Sequence, residues 1–151
     1  MIGGAVGVAI QLVPYGWQHS NPRVVSDAPW QDEAVAARAR VACYDCHSNE
    51  TRWPAHSYVA PMSWLVRRDV DAGRDELNFS EWEPDREDGE DAAEAIAAGS
   101  MPPRRYLLVH PDAALSPDER RSLITALLAM DEAAGEEDDG EDRSGSNRGP
   151  G

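Results

Sequence analysis

The sequence predicts an all-α domain with long loops and a modest core. Three observations carry this. Apolar residues recur at helical spacing before Cys43 and again after Ser116. No stretch shows a strong strand pattern, and there is no internal repeat. Pro, Gly and short polar residues fill the intervals between the periodic segments.

Composition narrows the possibilities. The chain has 151 residues, 14 basic against 28 acidic, a net charge of −14 and a sequence pI near 4.5. That length suits one domain with tails. The 41% hydrophobic content and single Phe predict a small core. Strong acidity argues against nucleic acid and anionic lipid surfaces, which repel negative charge. Two cysteines do not make a disulfide-rich scaffold. Every basic residue is Arg, which reads as genomic base bias rather than function.

Residues 1–13 are apolar with three glycines. Thirteen helical residues reach only ~20 Å against a hydrocarbon core of ~30 Å, and no positive n-region marks a signal peptide. The segment is expected to be the end of a membrane anchor whose start lies upstream; the alternative is packing on the domain. Residues 14–26 read as a linker. The domain is expected over 27–131. Asp27 is the expected cap of a first helix, with Pro29 in its first turn, and Ala34, Val35, Ala39, Val41 and Ala42 run it into Cys43. Residues 48–61 form a loop. Residues 63–72 predict a short helix with Trp64, Leu65 and Val70 inward, Arg67 and Arg68 outward, and Gly73 as its stop. A polar stretch leads to an Ala-rich helix over 90–98, ending at Gly99. Ser116, Pro117 and Glu119 form a capping box, and Leu123, Ile124, Leu127 and Leu128 one apolar stripe. Residues 131–151 hold eight acidic residues and two arginines, net −6. Residues 132–151 are therefore expected to be a disordered acidic tail.

Cys43-Tyr44-Asp45-Cys46-His47 is C-x-x-C-H, the attachment sequence of c-type haem. Two cysteines on one turn reach the two vinyl groups along one porphyrin edge. The adjacent His47 then ligates the iron. A thioredoxin-like redox pair needs a βαβ setting, which is not visible here. A structural zinc site needs four ligands, and His47 and His56 lack finger spacing. One covalently attached haem c, with its iron, is the expected cofactor.

Met101 lies 54 residues after His47, in a Gly-Ser-Met-Pro-Pro loop that suits a distal thioether ligand. Met62, His56 and His110 compete with it; Met62 reads as packing, and His110, before Pro111 at a loop, is equally suited to bonding a backbone carbonyl. A helix into C-x-x-C-H, a Met-Pro loop and a last amphipathic helix form the plan of a small cytochrome c-like domain around one haem. Its first and last helices are expected to pack across each other.

Residues 43–54 read CYDCHSNETRWP, followed by Ala60-Pro61-Met62-Ser63-Trp64, Gly73-Arg74, Leu77-Asn78-Phe79-Ser80 with Trp82, Gly99-x-Met101-Pro102-Pro103, and His110 through Ser116. Over residues 20–130 the chain resembles the bacterial haem-binding domain family, marked by C-x-x-C-H-S-N-x-T-x-W-P. The resemblance implies a c-type haem domain on the extracytoplasmic side of the membrane, behind an N-terminal anchor, with a role in electron transfer or haem binding. Ala55-His56 departs from the aromatic residues the family tends to carry after Trp-Pro.

The other motif residues take physical roles. Ser48, Asn49 and Thr51 are expected to fix the loop and hence the imidazole. Trp53 and Trp64 are expected as pocket walls. Arg74, Asn78, Arg104 and Arg105 are candidate propionate partners, with solvated surface the favoured state for Arg74 and the same weighing for Arg104 and Arg105. Cys43, Cys46, His47, Met101, Trp53 and Asn49 are thus the expected cofactor-binding residues, with His47 and Met101 on the iron. No acid, base or nucleophile constellation points to an enzyme. The expected function is single-electron transfer, with unidentified redox proteins as partners, membrane association through the N-terminus and no nucleic acid. The location is periplasmic or cell-surface facing. The alternatives are a ligand sensor or peroxidase-like site with an open distal position, and a haem-free structural or zinc module.

Overall fold

The computed structural model describes residues 2–83, 86 and 88–145. It is all-α: the described residues contain no strand, only an isolated parallel bridge between Ser26 and Glu81. No helix among them is long and apolar enough to cross a membrane. The chain forms two compact units, residues 1–27 with 43–81 and residues 28–42 with 82–151.

The first unit carries α1 (Ile2–Ile10), α3 (Tyr44–His47), a 3-10 turn (Ala55–Tyr58) and α4 (Met62–Glu76). α3 and the turn both pack on α4. The buried positions of α4 are Ser63, Val70 and Gly73. Leu65, expected inward, is 37% exposed, and Trp64 is half-buried. Gly73 decides the facing. A Cβ there would lie 2.6 Å from the Cys46 carbonyl oxygen, so only glycine lets the two helices meet. α4 therefore runs through Gly73 to Glu76 instead of stopping at it.

The second unit holds α2 (Glu33–Ala42), α5 (Asp88–Ala97), α6 (Arg104–Leu107), a 3-10 turn (Pro111–Ala113) and α7 (Pro117–Gly145). The cap of α2 is Asp32, not Asp27. Its Oδ1 accepts the Ala34 and Val35 amides at 2.7 and 3.2 Å, the reach a capping side chain needs. Asp27 instead accepts the Tyr44 hydroxyl, at 3.4 Å. Ala36, Ala39 and Ala42 form the buried stripe of α2. α2 packs on α7, as expected of the first and last helices of the domain, and Arg38 Nε meets Glu119 Oε1 at 3.1 Å.

α5 is tied to α7 at both ends. Asp131 Oδ2 accepts the Glu90 amide at 2.7 Å, and Arg120 donates to the Ile96 carbonyl. Gly99, at φ 72°, ends α5 with left-handed geometry that favours glycine. The capping box of α7 is complete: Ser116 N donates to Glu119 Oε2 at 2.8 Å, and Glu119 N to Ser116 Oγ at 3.3 Å. These bonds hold the Glu119 carboxyl below its usual pKa. Leu123, Leu127 and Met130 supply the buried stripe, while Leu128 is exposed.

The backbone of α7 continues in helix to Gly145, past the start of the acidic segment. Propagation from a packed helix adds one hydrogen bond per residue fixed, and Ala and Glu are good helix formers. The rest of the acidic segment, residues 146–151, lies outside the described residues.

The two cores differ in kind. In the second unit the buried residues are apolar: four alanines of 28–42, Trp82, Ala93, Ile96, Ala113, Leu123, Leu127 and Met130. In the first, Tyr44, Val70, Leu77 and Phe79 share the interior with Asp45, Ser48, Asn49, Thr51, Ser57, Ser63 and Ser80. A polar interior persists only where its groups are hydrogen-bonded. Here those bonds converge on the turn that follows Cys43.

Candidate functional site

Cys43 opens α3, and its carbonyl accepts the Cys46 and His47 amides at 3.1 and 2.9 Å. One helical turn thus carries both thiols and the imidazole. The thiols are half-buried and not joined in a disulfide. His47 Nδ1 lies 3.2 Å from the Leu77 carbonyl oxygen. A carbonyl only accepts, so Nδ1 carries the proton and Nε2 is left as the lone-pair nitrogen. Desolvation pushes the His47 pKa below its usual value, opposed by the Leu77 and Gly73 carbonyls. A neutral imidazole with one nitrogen anchored to a carbonyl is the form that ligates a metal.

The loop after His47 is held from both sides. Ser48 Oγ donates to the Tyr44 carbonyl at 2.7 Å and accepts the Glu50 amide at 2.9 Å. The Asn49 amide nitrogen donates to the Arg23 carbonyl at 3.0 Å and to Glu81 Oε1 at 2.7 Å. Its Oδ1 accepts from Asn78 at 3.1 Å, and its backbone N–H donates to Ser80 Oγ at 3.0 Å. The Phe79 amide closes the ring on the His47 carbonyl at 2.9 Å, while the Phe79 ring stacks on Tyr44 with centroids 5.2 Å apart. Asn49 and Asn78 therefore act through the loop, bonded to each other.

Arg74 is turned inward against that loop. Its Nε donates to the Ser48 carbonyl at 2.8 Å, and its Nη2 to Thr51 Oγ1 at 3.0 Å and Asn21 Oδ1 at 3.3 Å. Desolvation and the neighbouring Arg67 charge lower its pKa from the usual value. It is neither solvated surface nor turned out for a propionate; it clamps the S-N-x-T segment. Replacing Arg74 with Met should lower stability by about 1–2 kcal/mol, the scale of hydrogen bonds to a charged group at a partly exposed site. Lysine should restore only part, because it lacks the planar fork. Urea denaturation of the three proteins measures this, and an unchanged midpoint in Arg74→Met would refute the clamp.

Trp53 is half-buried. Its Nε1 donates to Asn21 Oδ1 at 3.1 Å, and its ring meets His19 edge-on at 4.8 Å. His19 also stacks on Tyr58 at 3.9 Å, with Nε2 at 2.8 Å from the Ser57 carbonyl oxygen. Sequence reading missed His19. It missed the buried Asp45 too, whose carboxylate takes Arg52 Nε and Nη2 at 3.1 and 3.0 Å and the Arg52 amide at 3.1 Å. A spacing of seven across a loop leaves no periodic signal. The Leu77 carbonyl was equally invisible, because a backbone acceptor has no side-chain signature.

The expected distal residue, Met101, belongs to the second unit. Its amide bonds to the Ala95 carbonyl at 3.3 Å behind Gly99, its peptide to Pro102 is cis, and the residue is 36% exposed. Arg104 and Arg105 are exposed on the short α6. In the same unit His110 stacks on Tyr106 at 4.2 Å, and its Nδ1 is buried with no hydrogen-bond partner among the described residues. Met62 is exposed rather than packed, and His56 sits half-buried in the 3-10 turn.

Two thiols and a pre-oriented neutral imidazole on one turn fit a haem, and an all-α unit carrying them is a haem-binding module. The chain belongs to the haem-binding domain family, which matches residues 5–128. Neither the curated proteins nor the solved structures compared with the chain gave a match.

Proposed function

We propose that this haem-binding domain holds its haem covalently and passes single electrons on the extracytoplasmic side of the cytoplasmic membrane. The observation that supports it is the coincidence of Cys43, Cys46 and a His47 whose Nδ1 is bound to Leu77. Cys43 and Cys46 would carry the thioether links, His47 the proximal position and Met101 the distal one. When bound, the haem supplies a one-electron iron couple. The chain's own residues orient the imidazole, hold the loop rigid and limit reorganisation at the site. This role needs no catalytic acid or base. Attachment of this kind takes place outside the cytoplasmic membrane in bacteria, which is why the location belongs to the proposal. Redox proteins are the partners it requires.

Met101→Ala is the test of the distal ligand. The expected result is retained haem, loss of the weak red charge-transfer band of a thioether-ligated ferric haem, and rapid carbon monoxide binding when reduced. An unchanged spectrum would remove Met101 from the iron. The buried, unpartnered Nδ1 of His110 supports a second reading, in which a histidine takes that place. His110→Phe would then change the spectrum and Met101→Ala would not. A high-spin ferric spectrum in the unaltered protein would favour the open-site sensor or peroxidase-like alternative.

A further inference from the structure

We propose that the first unit has a lipid-docking face of its own, which lays the folded domain on the bilayer surface. The inference rests on the membrane-side location proposed above and goes beyond an N-terminal anchor, because it places residues of α4 against lipid.

The face is assembled from two segments far apart in sequence. Gln11 pairs with the backbone of Ala60, its Nε2 donating to the carbonyl at 3.0 Å and its Oε1 accepting the amide at 2.9 Å. Gly16, at φ 84°, sits so close to Ser63 that a Cβ would lie 2.7 Å from its carbonyl oxygen. Arg67 Nη1 donates to the Gln18 carbonyl at 3.2 Å. These contacts strap residues 11–18 along the start of α4. Val13, Tyr15, Trp64, Leu65 and Arg68 then line a shallow depression of about 420 Å³. Around it Leu12 is 73% and Trp17 59% exposed. Soluble proteins seldom expose so many large apolar groups together without a partner.

Charge favours lipid as that partner. The chain carries 28 acidic residues, yet residues 1–26 and 53–68 contain none; their formal side-chain charges are Arg23, Arg67 and Arg68, with Arg67 paired to Asp71 at 2.7 Å. The two strapped segments thus form a surface without acidic residues in a protein of net charge −14. On this proposal the acidity that argues against anionic lipid lies outside the face. Tyr and Trp beside Arg are the residues that settle at a membrane–water interface. The apolar helix α1 leads directly into the face, and at nine residues spans only about 13 Å.

The test is co-sedimentation of the haem-loaded full chain with vesicles of phosphatidylcholine and phosphatidylglycerol. Leu65→Glu and Tyr15→Ser leave α1 intact and alter exposed side chains. Each is expected to weaken partitioning, Leu65→Glu by about tenfold. Leu108→Glu, a matched change at an exposed leucine of the second unit, should have no effect. Melting curves check that each variant folds. The inference is overturned if the unaltered chain stays in the supernatant, if both face variants partition normally, or if Leu108→Glu loses as much. A dimer in sedimentation velocity that Leu65→Glu dissociates, without vesicle binding, would assign the face to a second copy instead. Haem staining of the same samples reads covalent attachment separately, so failure of that reading is distinguishable from failure of this one.

Discussion

Replacing Cys43 and Cys46 together with serine should leave no haem on the chain after denaturation. Haem-peroxidase staining of a denaturing gel measures this, because only a covalently held haem survives unfolding. The expected effect is complete loss of staining, since no other cysteine exists to form a thioether. Each single variant keeps one link and should stain more weakly. His47→Ala should retain stain but lose the low-spin spectrum, since on the proposed arrangement it would remove the nitrogen that ligates the iron and leave the links to Cys43 and Cys46. The geometry underlies the separation of roles: the thiols open and close one turn, while the imidazole is directed by Leu77 from another segment. Undiminished staining in the double variant would refute covalent attachment and leave a haem held only by ligation and packing.

Gly73→Ala should be strongly damaging to the first unit despite being a conservative change. In an open helix Ala is favoured over Gly by about 1 kcal/mol. Here its Cβ would stand 2.6 Å from the Cys46 carbonyl oxygen and 3.0 Å from both the Cys46 carbonyl carbon and its Cβ. The obstacle is mostly backbone, so no flexible side chain can move aside. Overpacking of this kind costs roughly 1–3 kcal/mol and outweighs the propensity gain. The shift also falls on the turn between the two thiols, so haem yield should drop with stability. Gly4→Ala in α1, where nothing lies within 4 Å, is the control and should be neutral or slightly stabilising. Calorimetric melting with a parallel haem assay decides it. A Gly73→Ala protein that melts with the unaltered chain and carries full haem would show that α3 and α4 do not meet as described.

The two units are built differently. In the second, helices pack through alanine, leucine and isoleucine, the ordinary solution for a small helical core. In the first, a short loop must keep an imidazole aimed, and hydrogen bonds fix direction where packing alone fixes only distance. Ser48, Asn49, Thr51, Arg74, Asn78 and Ser80 supply those bonds, and each answers another's donor or acceptor.

Much of the plan was legible in the chain. Helix periodicity and the Ser116 capping box placed α7, because capping and amphipathicity are local properties. The C-x-x-C-H motif named the cofactor because its chemistry is compressed into five neighbouring residues. The packing of α2 on α7 also followed from the cytochrome c-like plan, which the apolar stripe of the last helix suits. Other features depended on what faces what. Gly73 reads as a helix stop until Cys46 is seen against it, and Leu65 reads as core until α4 is rotated by that contact. Arg74 reads as solvated surface until its bonds to the loop are traced, and the bonds of Asn49 to Arg23 and Glu81 have no signal in the chain. The sequence by itself determined the fold class, the last helix, the attachment motif and the family. The tertiary structure alone decided which carbonyl aims His47, which glycine admits it, and which side chains brace the loop. Those contacts join residues 23 to 32 positions apart, two of the four through a backbone carbonyl, and neither distance nor backbone leaves a mark in a local pattern.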